Sequence, residues 1–579
     1  MAVDLKITQR RAVNGEAGGL AEGLALCGLV IFAAVFLVLP LALLARVALT
    51  DAGIPSLAPM VEALQNRAVQ RALVNSLYAA GLSALLALGL GTALALVVAL
   101  SDVRAKGALI FLVLLPMMIP PHVTAIAWVQ TFGPASPILG ALGLAPPPGT
   151  PNPLYSAGGV IALLSLQHAP LVFLVMRAAL RSLPREMVEA ARISGAGPLR
   201  LLFAIVLPLV SPNLMAGLSL AFVAALGNFG IPALLGIPGR FTTLPVLLWQ
   251  RLSSFGPSML TDVSVIAGLI SVVALAAVLV QVRVTSRARS VLVGLPQAAL
   301  SVQLGRWRVP VEVSLWAFIL LTVALPLASL GATALVPAFG VRLSWDTATL
   351  ANFTEVLFRQ QATARAFVNS TMVAGSAAFM LAGVAMLSGY FAAAGTRGGR
   401  ALAQGIAGLA DMTYAIPGLV ISIAFILAFI RPIPLIGVSL YGTLGIVFFA
   451  YLCAFLAIAM KPVSAAFAQL DPALNDAARV CGASFTTRIL RVFAPLTAPA
   501  AASGAILVFL TAYNEITVSA LLWSSGNELI GTTIFNYEDG GYTTLAAAMS
   551  VLTVMATVLI MAALDRIGRH LPAGVVPWR

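Results

Sequence analysis

The sequence predicts an all-α membrane protein of about twelve transmembrane helices, arranged as two halves of six that repeat in the same orientation. Three observations predict it. Charged residues make up only 9% of the chain and hydrophobic ones 60%, far from the roughly 25% charged of water-soluble domains. The apolar residues form long uniform runs near the length of about 20 that crosses a bilayer. Such runs lack the alternation of a lipid-facing barrel strand, which leaves the helix as the spanning form. Finally, three short markers occur twice in the same order, so the repeat is whole-domain and parallel.

The spans are expected at 23–49, 73–100, 108–132, 158–180, 201–226 and 262–284, then at 313–337, 367–394, 402–430, 441–460, 493–523 and 543–564. Lys6, Arg10 and Arg11 ahead of the run Leu24 to Leu49 resemble a signal peptide, but that run is about twice a signal core, so it reads as a retained first span. The divisions implied are a first domain at 1–290, a linker at 291–312 and a second domain at 313–579.

A net charge of +13 invites a nucleic-acid reading. The placement of Lys and Arg gives another. With the N-terminus inside, 24 fall on the inner side, and nine (Arg46, Arg67, Arg71, Arg240, Arg251, Arg342, Arg359, Arg365 and Arg431) on the outer. That is the positive-inside bias, and it places both termini in the cytoplasm. The basic charge therefore reports topology, and no nucleic-acid partner is expected. Cys27, Cys453 and Cys481 are too few and too scattered for a disulfide framework or a zinc site.

The first marker is Arg71-Ala-Leu-Val-Asn75-Ser76, repeated as Arg365-Ala-Phe-Val-Asn369-Ser370 at the opening of each second span. The second is Ile119-Pro120, repeated as Ile416-Pro417 in each third span. Together with Pro116 and Pro121, these prolines either open backbone carbonyls or simply kink the helix. The third is the longest: Glu189-Ala-Ala-Arg-Ile-Ser-Gly195 running to Ile205-Val-Leu-Pro208, and Asp476-Ala-Ala-Arg-Val-Cys-Gly482 running to Val492-Phe-Ala-Pro495, at a constant offset of 287.

Each copy lies in a basic inner loop, at about 181–200 and 465–490. The second copy is punctuated as a short helix, with Asp471 as N-cap, Pro472 at the first helical position, Asp476 early, Arg479 late and Gly482 as the stop. Pro184, Glu186, Glu189, Arg192 and Gly195 take those roles in the first. Met187, Ala190 and Ala191, or Leu474, Ala477 and Ala478, make a thin apolar stripe at helical spacing. Such a stripe suits close seating in a groove of another protein, or rest on the chain's own bundle.

Glu-Ala-Ala, three residues, Gly, nine residues, Ile-x-Leu-Pro resembles the signature of the inner-membrane permease subunits of binding-protein-dependent ABC importers, and residues 189–208 match every fixed position. The second copy departs at Asp476, Val492 and Ala494. Two such domains in one chain resemble the fused subfamily of iron(III), thiamine and related uptake systems. The resemblance implies a type I importer permease fold in a bacterial inner membrane. It also implies a coupling helix in each loop, formed by Glu189, Ala190, Ala191 and Gly195 and by Asp476, Ala477, Ala478 and Gly482, docked on an ATP-binding subunit present in two copies. A periplasmic solute-binding protein would select the solute.

A phosphate-binding loop needs Gly-Lys-Ser/Thr. The three lysines follow Leu, Ala and Met, so ATP hydrolysis belongs to a partner, with no cofactor bound by this chain and no enzymatic activity of its own. His122, His168 and His570 are isolated, with no nucleophile constellation around them, and His122 and His168 read as packed, hydrogen-bonded side chains. Asp411 and Glu515 are the carboxylates expected within spans, joined by Asn228 and Asn514 in the fifth spans. Asn228 and Glu515 share the 287 offset. Polar groups in lipid are costly, so these four are candidates for the translocation path, against a role as bundle hydrogen bonds.

A secondary transporter driven by an ion gradient also uses duplicated halves, but usually carries more midplane charge than Asp411 and Glu515 supply. The outer loops hold eight acids against the nine arginines, which favours neither cation nor anion. Fused halves and the stretch Gly227-Asn-Phe-Gly-Ile-Pro232 point to iron(III) as solute, with thiamine, phosphonate and polyamine as alternatives.

Overall fold

The computed structural model describes residues 19–51, 54–147, 149–181, 183, 189–191, 193–252, 259–287, 303–433, 437–570 and 575–576. Its elements, in chain order, are α1 (Gly19–Ala48), α2 (Arg67–Leu100), α3 (Lys106–Met118), α4 (Pro121–Phe132), α5 (Ala157–Arg181), α6 (Leu202–Leu209), α7 (Ser211–Leu226), α8 (Leu244–Leu252) and α9 (Met259–Arg287). They continue with α10 (Gly305–Ala334), α11 (Gln361–Ala394), α12 (Arg397–Ala415), α13 (Gly418–Phe429), α14 (Leu444–Ala468), α15 (Ala473–Val480), α16 (Phe485–Tyr513), α17 (Ile530–Asp539) and α18 (Thr543–Gly568). Among the described residues nine helices are long and apolar enough to cross a membrane, and three bent pairs bring the number to the twelve expected.

The bent pairs refine the spans expected at 108–132, 201–226 and 402–430. α3 and α4 meet at 102°, α12 and α13 at 113°, and α6 and α7 at 64°. The cause is local at the first two. Ile119 and Ile416 both take extended backbone, at ψ 134° and 128°, the conformation that a following proline imposes on its predecessor. The side-chain amide of Gln167 then donates to the carbonyl oxygens of Pro116 at 2.9 Å and Ile119 at 3.3 Å, which the break leaves without helical partners. The Ile-Pro marker is thus a break point in both halves.

The prolines of the longest marker act differently. Pro208 and Pro495 each follow a π turn, Leu202–Val206 and Ile489–Phe493, at the same 287 offset. A proline clashes with the carbonyl four residues back, and widening that turn keeps the helix running. The expected span 493–523 is corrected: its helix runs from Phe485 to Tyr513, and the residues beyond turn away at Asn514.

The chain forms two compact units that cut across the sequence repeat. One comprises the first span with residues 364–530 and 555–579, and the other comprises 49–363 with 531–554. In the second of these, α2 and α5 approach closely at Gly91, where a Cβ would lie 2.6 Å from the carbonyl oxygen of Ala169. In the first, a Cβ at Gly504 on α16 would lie 2.9 Å from the carbonyl oxygen of Ala459 on α14.

The Asn-Ser marker is explained within each unit by one polar clamp. Asn75 donates to the carbonyl oxygen of Thr242 at 2.9 Å and Ser76 Oγ accepts from Leu244 at 2.7 Å. Asn369 donates to Glu528 and Ser370 accepts from Ile530, both at 3.0 Å. Each clamp ties the start of a second span to the start of a short helix, α8 or α17.

Candidate functional site

The two copies of the longest marker fold alike. In the second, Asp471 Oδ1 accepts the amide of Ala473 at 2.9 Å, as an N-cap does. At the other end Cys481 donates to Ala477 at 3.0 Å, Gly482 to Arg479 at 2.9 Å and Ala483 to Ala478 at 3.0 Å, which is the Schellman arrangement. In the first, Ser194 donates to Ala190 and Ala196 to Ala191, both at 3.0 Å. Gly195 and Gly482 hold φ +79° and +78°. A Cβ there would touch nothing within 4 Å, so the left-handed backbone alone demands glycine. Pro184, Glu186, Met187 and Arg192 lie outside the described residues.

Exposure also repeats. Glu189 and Ala190 are exposed with Ala191 half-buried, and Asp476 and Ala477 are exposed with Ala478 half-buried. Within α15 the helix turns Asn475 inward, and Leu474 is half-buried. The expected stripe is therefore divided: part rests on the chain's own bundle, and part stands free.

Among the described residues, the largest free apolar groups are elsewhere on each helix. Ile193 is 87% exposed and Val480 85%, at equivalent positions. A large branched side chain is thus bared to water at the same place in both loops. Its signal is in the sequence: a β-branched residue two before each stop glycine, off the i, i+3, i+4 stripe.

The polar residues of the spans divide by role. Asn228 Oδ1 accepts the amide of Ile231 at 3.2 Å, and Glu515 accepts the amides of Val518 at 2.7 Å and Ser519 at 3.2 Å. Both lie just beyond the helix that carries them, α7 or α16, where each holds an equivalent turn. The turn after Asn228 seats Phe229, whose ring packs against Trp249 and Phe535 at 5.9 and 5.5 Å between centres. Asn514 donates to Thr557 at 3.1 Å inside the bundle. Asp411 is exposed on α12. The structure brings Asn514 and Glu515 together as chain neighbours and leaves Asp411 apart from both. His168 is packed as expected, with Nδ1 2.8 Å from the carbonyl oxygen of Leu164, whereas His122 is buried against Gly230 with neither ring nitrogen hydrogen-bonded among the described residues, which corrects the hydrogen-bonded side chain expected there.

Comparison with known proteins decides what these repeated loops belong to. Residues 87–289 and again 385–576 match the family described as binding-protein-dependent transport system inner membrane component. The chain belongs to this family. As a fused permease of that family it carries the domain once in each half, with an EAA-type loop in each. The permease is 27% identical over 557 residues to "Probable ABC transporter permease protein y4fN" of Sinorhizobium fredii, covering 94% of this chain and 95% of the relative. It is 24% identical over 511 residues to "Ferric transport system permease protein FbpB" of Actinobacillus pleuropneumoniae, covering 85% and 70%. It is 28% identical over 180 residues to "Molybdenum transport system permease protein ModB" of Azotobacter vinelandii, covering 30% and 77%. The type I permease fold and the multi-span membrane class follow from family membership together with the helices described above.

Proposed function

We propose that this permease forms the solute path of an ATP-driven uptake system in a bacterial inner membrane, with both termini and both repeated loops in the cytoplasm. Each loop helix docks on one copy of a separate ATP-binding subunit, which hydrolyses the ATP. A periplasmic binding protein delivers the solute, and that solute is iron(III).

The observation that carries the reading is the pair of identical exposed ends: the same left-handed glycine and the same bared apolar side chain at Ile193 and Val480. Glu189, Ala190, Ala191 and Gly195, with Asp476, Ala477, Ala478 and Gly482, build the two levers. The family supports the need for an ATPase and a solute-binding protein, and the bias of Lys and Arg supports the orientation. Iron(III) is supported by the similarity to the ferric permease along most of the chain. Asn228, Asp411, Asn514 and Glu515 belong to the path, with Asn228 and Glu515 acting through the turns they hold.

Reconstitution of the permease with its ATP-binding subunit and binding protein tests the proposal. Labelled iron(III) accumulates in proteoliposomes only with MgATP on the loop side and binding protein on the other. Accumulation without ATP assigns a gradient-driven mechanism. ATP-dependent uptake of molybdate, thiamine, a phosphonate or a polyamine in place of iron reassigns the solute.

A further inference from the structure

A buried arginine attaches the second loop helix to its surroundings. Arg488, at the start of α16, is 5% exposed. Its Nη1 donates to Oδ1 of Asn475 at 3.0 Å, on the inward face of α15. Its Nη2 pairs with Oε2 of Glu22 on α1 at 3.4 Å. The guanidinium also lies 5.9 Å from the ring centre of Tyr390 on α11. That ring meets Phe485 and Phe493 edge-on at 5.6 and 5.2 Å.

The first half has none of these polar groups at the equivalent places. The 287 offset puts Leu201 where Arg488 stands and Val188 where Asn475 stands. Leu201 is buried, and Val188 lies outside the described residues. A buried charge is costly to seat, and removing one partner strands the other. A planar guanidinium that donates to two elements and stacks on a third fixes their mutual angle in a way that apolar contact does not.

We propose that Arg488 is a positioning residue that locks the second loop helix to the first span through Glu22, making it a stiff lever. The inference rests on the reading of both loops as docking helices. It adds a mechanical link behind the second: a push on α15 passes to α1 through one guanidinium.

Ser194 and Cys481 are equivalent by the same offset and both exposed, so they take matched labels. The full permease is placed in nanodiscs with Cys27→Ser and Cys453→Ala, and a nitroxide is attached either at Cys481 or at Ser194→Cys with Cys481→Ser. Arg488→Ala and Glu22→Gln are each expected to make the Cys481 nitroxide tumble at least threefold faster and to leave the one at 194 unchanged. Asn475→Val with Arg488→Leu installs the apolar pair of the first half and keeps the test available should the alanine variant fail to fold. It is expected to loosen the Cys481 label as the alanine variant does. A Cys481 label unchanged in the double variant, or equal loosening at both labels, overturns the inference. Retention of the ATP-binding subunit on the labelled permease is read separately by pull-down. Its loss counts against docking and leaves the spectral result standing.

Discussion

Gly195 and Gly482 stand 287 residues apart and turn their chains through the same left-handed conformation, at φ +79° and +78°. Proline fixes φ near about −65° and has no amide proton. Gly195→Pro or Gly482→Pro therefore unwinds the end of its loop helix, and in the second loop also removes the bond from Gly482 to Arg479. Uptake is expected to be abolished by either change while the amount of permease in the membrane stays at the parent level, as measured by transport assay and immunoblot.

Ile193 and Val480 are the apolar groups that docking would bury. Burying a branched side chain of this size contributes about 1.5–3 kcal/mol. Ile193→Asp or Val480→Asp should then weaken the complex with the ATP-binding subunit by at least about tenfold. Both changes together should remove it from the purified permease. Titration of the subunit onto permease in nanodiscs measures the loss.

Arg365 and Glu528 form a fork, with Nε 3.0 Å from Oε2 and Nη2 3.1 Å from Oε1. The hydrogen bonds from this guanidinium hold the Glu528 carboxyl down to about 2. A depressed carboxylate contributes stability above its ordinary range and loses it as pH falls through the folded value. The parent should therefore lose melting temperature between about pH 4.5 and 2, the ordinary and folded values. Arg365→Ala is expected to start lower at pH 7 and to show a flatter fall across that window.

Glu538, near the end of α17, has the opposite sign, because burial pushes its carboxyl up to about 7. Its contribution is full below the ordinary range near 4.5 and is lost as pH rises through about 7. Glu538→Gln is expected to abolish the part of the decline in melting temperature seen between those values. An unchanged decline in the variant would move the titrating group elsewhere.

Glu515 spends both carboxylate oxygens on backbone amides, those of Val518 and Ser519. Glutamine offers one oxygen in place of two. Glu515→Gln is expected to keep the permease in the membrane and to slow uptake by loosening that turn. Uptake kinetics equal to the parent would assign the residue to packing alone.

What could be read in the sequence was what neighbouring residues dictate. Ile119-Pro120 and Ile416-Pro417 were legible as places where a helix opens or kinks, since proline acts on the residue beside it, yet the full breaks at 102° and 113° depend on packing from distant elements. Asp471, Asp476 and Gly482 announced a short capped helix, and the amide of Ala473 does bond to Asp471. The clamp partners of Asn75 and Asn369 lie 167 and 159 residues away, and no local pattern names them. Arg488 was legible only as inner-side basic charge. Its burial against Asn475 and Glu22 needs contacts across 13 and 466 residues. Ile193 and Val480 were legible as a repeated pair, but their exposure depends on which helical face the bundle takes.

The first span, α1, is grouped with residues 364–530 and not with the half that follows it in the chain. A cut within the linker would consequently free two fragments, each missing a piece of its own hydrophobic interior and carrying a piece of the other's. Neither is then a self-sufficient folding unit. If fusion of two ancestral genes produced this chain, the reverse event would be viable only where both fragments are made together and in matched amounts.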